Sequence, residues 1–463
     1  MQSIDIFLIV LYLLSLVGIG LRKPKENSAA NIESYLLDSR RLTLPAFVAT
    51  LVSTWYGGIL GVGEYSYLFG ISNWLVFGVP YYLAALIFAL FIAKRARRSQ
   101  MLTIPQQLEH AYGQGPAHIG ALLVFVMTVP AAYVLMLGVL IQFLTAWPLI
   151  LCIALGSLFS MIYVTRGGFR AVVRTDLLQF GLMFAGFILL LFYAVNEHGG
   201  LSFLQQSLPA THFSWHGGNR ASTIAVWYFI ALSTLIEPAF YQRCFAAKNE
   251  TVARNGILLS IAFWIVFDFL TTFSGLYARA ILPELQDPIS SYLHLAGRLL
   301  PPVSLGLFVL ALLSTIMSTV DSYSFLAATT IGRDFLWSRS SRNPASVEWY
   351  SKIGMVLTCV LSIAIAAWAQ SVIRIWKDFG SIGTPALLLP LASSFSPRFK
   401  MTSTWVPSAI LISGGVSTLW LVSRTLSGNS DYWLDIEPIY PGLLTSLLFF
   451  SLDKVVHRLH RHK

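Results

Sequence analysis

Apolar stretches about as long as a bilayer crossing alternate with short polar segments from one end of the chain to the other. A helix that crosses a membrane needs about 20 predominantly apolar residues. The pattern predicts about thirteen such spans, over residues 3–21, 44–69, 73–93, 118–144, 148–164, 175–195, 222–245, 256–281, 303–331, 350–369, 372–394, 404–422 and 438–452, numbered here 1 to 13. The expectation is an all-α polytopic membrane protein. Span 1 has neither a basic segment before it nor a small-residue cleavage site after it, so it reads as a retained helix rather than a signal peptide.

The polar positions inside these spans say more than the apolar ones. Span 9 runs into LLSTIMSTVDSYSFLAATTIGRDF, which sets Thr315, Ser318, Thr319, Asp321 and Ser322 in an otherwise apolar stretch. A carboxylate with a cluster of hydroxyls is expensive to bury in a membrane and marks a functional site by default. Hydroxyl and carboxylate oxygens are also what a hard cation needs in place of its water shell. Span 2 gathers Gly57, Gly58, Gly61 and Gly63 beside Glu64, and span 7 sets Pro238 next to Glu237. Glycine weakens a helix and proline removes a backbone donor. Read alone, the first break also fits a close helix crossing at span 2 and the second a plain proline kink at span 7. Two interrupted helices five spans apart point instead to a binding site between inverted repeats.

Charge fixes an expected orientation. The chain has 463 residues, of which only 11% are charged, with 56% hydrophobic and a mean hydropathy of +0.68. Soluble domains carry about 25% charged residues. Most of the 31 basic residues fall on one side of a thirteen-span arrangement: Lys23, Lys25, Arg40 and Arg41 after span 1, Lys94 to Arg98 after span 3, Arg243, Lys248 and Arg254 after span 7, and Arg333, Arg339 and Arg342 after span 9. Arg220, Arg279, Arg298 and Arg424 fall on the other side, and Arg374 and Lys377 lie within span 11. This bias places the N-terminus outside and the C-terminus in the cytoplasm. Headgroup anchoring then accounts for the net charge of +10 without nucleic acid. Cys152, Cys244 and Cys359 have no metal or disulfide spacing and read as packing residues.

Four segments resemble the sodium:solute symporter family: Ser53–Ser72, Leu102–Gly113, Arg166–Gln179 and Ser314–Ser322 with the downstream Arg333 and Asp334. The resemblance implies a LeuT-type core of five-plus-five inverted repeats, with broken helices in spans 2 and 7. Residues 1–42 would hold the first helix and a cytoplasmic loop, 43–195 the first repeat, 222–395 the second, and 402–463 two further helices and a basic tail. It implies Na⁺-coupled symport of a small organic solute by alternating access, with Na⁺ as co-transported ion and no organic cofactor. The expected setting is a bacterial inner (plasma) membrane. The implied sodium site lies between spans 2 and 9, with the hydroxyls of Ser318 and Thr319, the carbonyl of Thr315 and backbone carbonyls near Ser53 and Tyr56. The Thr315 hydroxyl either adds a ligand or bonds the preceding turn. A second cation site is implied at Asp176, Ser318, Asp321 and Ser322. The rival reading has Asp176 capping span 6 and Asp321 pairing with Arg333 or another basic residue.

The solute is expected near the breaks, bounded by spans 2, 4, 7 and 11, with Trp55, Tyr56, Gly57, Gly58, Trp227, Tyr228, Ser233 and Glu237 as lining residues. Sugar, amino acid, carboxylate and polyol all fit this reading. Arg374, Lys377 and Asp378 either recruit an anion at an outer vestibule or mark the end of a half-helix. Coupling to H⁺ through Asp321 or Glu237 is the runner-up. A channel and a solute sensor are weaker alternatives. An enzyme is not expected, because the nine histidines form no nucleophile–base or metal-ligand spacing.

Overall fold

The structure, a computed structural model, describes residues 2–21, 32–340, 343, 346–369, 371–426 and 432–461. Arg22, Lys23, Lys25, Arg342, His462 and Lys463 lie outside the described residues. Among the described residues the chain is built of helices, and eleven are long and apolar enough to cross a membrane. The expected count of thirteen spans is therefore not reached by length and apolarity alone. Span 5 is a 17-residue apolar helix, Leu149–Thr165. Span 11 is the 23-residue helix Val372–Ser394, which contains Arg374, Lys377 and Asp378 as well as Pro385 and Pro390.

Two helices form the centre. In the apolar windows of Leu44–Phe69 (span 2) and Ser304–Arg339 (span 9), 89% and 83% of residues are buried, against 22% for Ser3–Gly20 (span 1). The peripheral helices expose Phe7, Leu14, Ile188 and Val360, a surface suited to lipid. Span 1 is tied to the centre by polar contacts. Asp5 Oδ1 accepts from Val303 N at 2.9 Å and Gly306 N at 3.2 Å, capping the first turn of span 9. Gln179 Nε2 of span 6 donates to the Tyr12 hydroxyl at 3.0 Å.

Both expected breaks are present. Span 2 is the helix Leu44–Trp55, a tight 3-10 turn at Tyr56–Gly58 and the helix Ile59–Phe69. Span 7 is the helix Ala221–Ile230, a 3-10 segment Ala231–Ile236, an extended Glu237 and the helix Pro238–Ala246. Pro238 has no N–H to continue the ladder, and the Glu237 carboxylate accepts from Ala239 N at 3.3 Å, starting the second half. Spans 5 and 6 are nearly continuous, separated at Gly168, whose φ of 60° and ψ of −160° only glycine adopts readily. A Cβ there would run into the Tyr35 carbonyl.

Candidate functional site

Span 9 turns its hydroxyl cluster toward the break in span 2. Ser318, Thr319, Asp321 and Ser322 are all buried. The Thr319 hydroxyl donates to the Thr54 carbonyl at 2.7 Å, two residues before the 3-10 turn Tyr56–Gly58. That close approach requires glycine next door: a Cβ on Gly57 would overlap the Thr319 side chain. The Thr315 hydroxyl bonds the Ala311 carbonyl at 2.7 Å, one turn back, so its side chain is spent within its own helix. Ser53 does the same with Ala49 at 2.8 Å, which leaves backbone carbonyls as what span 2 can offer a cation here.

Asp176 lies inside span 6 rather than at its cap. It accepts from Ser318 Oγ at 2.6 Å and from the Thr50 hydroxyl. Asp321 does not join it. Its carboxylate receives the hydroxyls of Ser160 and Tyr163 from span 5, the latter at 2.6 Å. Arg333, which the rival reading set against Asp321, pairs with Asp334 instead.

The largest correction concerns Arg243. Its place at the end of span 7 suggested a headgroup anchor, yet it is fully buried. Nη2 donates to Thr50 Oγ1 at 3.0 Å, Thr54 Oγ1 at 2.9 Å and Ser322 Oγ at 2.7 Å, and lies 3.7 Å from Asp176. A guanidinium so placed neutralises the buried carboxylate and satisfies three hydroxyls from spans 2 and 9. The group expected to ligate a second cation is thus gathered around a fixed positive charge, with Asp321 outside it.

A cavity of about 160 Å³ opens beside the two breaks. Spans 2, 4, 7 and 11 all contribute, through Trp55, Tyr133, Glu237 and Trp376 among others. Spans 3, 8 and 9 add Tyr81, Asp268 and Tyr323. Of the expected lining residues, Trp55, Tyr56, Gly58, Ser233 and Glu237 face it. Gly57, Trp227 and Tyr228 do not. Gly57 turns to Thr319, and Trp227 packs edge-on against Phe77 at 4.6 Å in a separate apolar cluster. The 3-10 winding of Ala231–Ile236 rotates the first half of span 7 relative to the second, so its aromatics face elsewhere.

Asp268 was missed. It accepts from the Tyr82 hydroxyl, and Tyr56 reaches it from span 2. The signal was available, since a lone carboxylate interrupts the apolar run of span 8. The charges of span 11 are already matched: Lys377 Nζ lies 2.7 Å from Glu437, and Arg374 Nε 3.8 Å from Asp378.

Comparison with known proteins places this geometry. A sequence model described as the sodium:solute symporter family matches residues 35–400. The sodium/pantothenate symporter of Escherichia coli (strain K12) is 25% identical, over 97% of this chain and 96% of its own length. The high-affinity proline transporter of Bacillus subtilis (strain 168) is 23% identical, over 91% and 93%. A solved structure of a Na⁺-coupled sialic acid symporter, substrate-bound and outward-open, superposes with a TM-score of 0.79 at 16% identity, covering 99% of this chain and 98% of that one. A nucleobase-cation-symport-1 family transporter superposes at 0.58, with 14% identity over 90% and 92%.

Proposed function

The chain belongs to the sodium:solute symporter family, and from that footing we propose where its cation and solute bind and which way they move. It is an integral membrane transporter with the all-α, LeuT-type fold, a secondary active carrier coupled to Na⁺ rather than an enzyme.

Na⁺ binds between spans 2 and 9, on the hydroxyls of Ser318 and Thr319, the Thr315 carbonyl and carbonyls at the span 2 turn from Ser53 to Tyr56. The single observation that carries this is the Thr319 hydroxyl on the Thr54 carbonyl at 2.7 Å, which brings a buried hydroxyl pair against interrupted backbone. The solute occupies the aromatic cavity alongside, so that both ligands bridge the same two helices. Closing one face of the protein then depends on both being bound. Residues 43–195 and 222–395 act as the two repeats, and the basic loops face the cytoplasm of a bacterial inner membrane, so transport runs inward.

The driving force suffices. One Na⁺ crossing roughly 100 mV yields about 2.3 kcal/mol, and a tenfold gradient about 1.4 kcal/mol more. Together they support roughly 500-fold accumulation of a neutral solute. Arg243 supplies the positive charge at Asp176, which favours one Na⁺ per cycle over two.

Uptake by proteoliposomes under an imposed Na⁺ gradient tests the reading. Na⁺-driven accumulation that Ser318→Ala abolishes, with the variant still folded, is the expected result. Uptake that follows a pH gradient and ignores Na⁺ would overturn it.

A further inference from the structure

The chemistry of the cavity narrows the solute. Its lining holds two carboxylates, Glu237 and Asp268, and among the described residues no lysine, arginine or histidine. The basic residues nearest in span 11 are paired with Glu437 and Asp378. An anionic solute would have to enter against two acidic groups with no counter-charge to meet it, a like-charge arrangement that works against binding.

Aromatic rings make up most of the rest. Trp55, Tyr81, Tyr133 and Trp376 face the cavity from spans 2, 3, 4 and 11. Trp55 and Tyr81 lie 5.7 Å apart at 68°, and Tyr133 and Trp376 6.2 Å apart at 48°. Walls inclined to one another in this way present ring faces from several directions. Ring faces are electronegative and attract a cation, most strongly where water is excluded. Acidic side chains among tilted rings make a box for positive charge.

Size sets a further limit. An apolar cavity of about 150 Å³ admits benzene, so this one suits a solute of roughly six to ten non-hydrogen atoms.

We propose that the transported solute is a compact organic cation, a substituted ammonium, held by the aromatic box between Glu237 and Asp268. This rests on the reading of the cavity as the solute site of a Na⁺ symporter.

The test uses the full-length protein in nanodiscs, with thermal unfolding followed in Na⁺ and in K⁺ at equal ionic strength. The probes are choline, glycine betaine, the neutral choline isostere 3,3-dimethylbutan-1-ol, pantothenate and glucose. Stabilisation by choline, with the isostere needing about tenfold more, is expected. Asp268→Asn and Glu237→Gln should narrow the gap between choline and its isostere. The comparison on the unaltered protein decides the matter if either variant fails to fold. Equal potency of choline and the isostere overturns the proposal, as does stabilisation by glycine betaine, pantothenate or glucose without choline, or by none of the probes. Stabilisation by choline that is equal in Na⁺ and K⁺ supports the cation preference while overturning Na⁺ coupling, so the two failures are distinct.

Discussion

The Thr319 hydroxyl meets the Thr54 carbonyl at 2.7 Å, across the contact between spans 2 and 9, the long apolar helices with the largest buried share among the described residues. This bond joins the hydroxyl cluster of span 9 to the interrupted backbone of span 2. Thr319→Val keeps the shape and removes the oxygen. A lost charge-assisted ligand is worth about 1.5–3 kcal/mol, so the Na⁺ concentration for half-maximal uptake should rise at least about tenfold. Uptake measured against Na⁺ at fixed solute checks this. An unchanged Na⁺ dependence would remove Thr319 from the site.

Gly57 is where the two helices come closest. Ala at this position sets its methyl into the Thr319 side chain. Overpacking typically costs about 1–3 kcal/mol, and here the displaced atoms are also the proposed ligands. Gly57→Ala should therefore lose both thermal stability and the stabilisation that Na⁺ confers. Wild-type behaviour in thermal unfolding with and without Na⁺ would show that the contact relaxes freely.

Arg243 and Asp176 neutralise one another in a fully buried setting. Removing one member of a buried pair typically costs about 3–5 kcal/mol, because the other is left without compensation. Arg243→Gln should destabilise the protein strongly in K⁺. In Na⁺ part of the loss should return, since the exposed carboxylate and hydroxyls become a cation cage. Thermal unfolding in the two salts reads both effects, and the same loss in either salt would exclude a cation role for this cluster.

His212 predicts a pH response outside the membrane. It lies in the loop before span 7, with Nε2 3.1 Å from the Tyr67 carbonyl. Burial pushes its pKa below the usual histidine value, against the raising effect of that hydrogen bond, and the nearby Arg279 pushes it the same way as burial. The unfolded chain then takes up the proton first. The stability that His212 contributes is complete above about pH 6.5 and declines as pH falls below it. Thermal unfolding between mildly acidic and neutral pH should show this decline, and His212→Gln should flatten it.

Much of this arrangement was legible in the chain itself. The breaks in spans 2 and 7 announce themselves through Gly57, Gly58 and Pro238, because glycine and proline act on the backbone whatever surrounds them. Ser318 and Thr319 stood out because buried hydroxyls in a membrane need a reason. Arg243 was hidden by position: a basic residue a few places before Lys248 and Arg254 reads as part of the same interfacial group, and only the packing of spans 2, 6, 7 and 9 buries it. Trp227 and Tyr228 were misplaced because spacing along a regular helix cannot anticipate a 3-10 segment. Tyr81, Tyr133 and Trp376 come from three different spans, and no local pattern marks residues whose shared role is to face one cavity.

Arg243 also holds three other helices with one group. Its guanidinium reaches Thr50 and Thr54 on span 2, Ser322 on span 9 and, through charge, Asp176 on span 6. It is itself carried on the half of span 7 that follows Glu237. A swing of that half-helix about its joint releases these contacts together rather than one at a time. The array works as a latch with a single bolt, so the helices it joins should switch sharply between two arrangements instead of loosening by degrees.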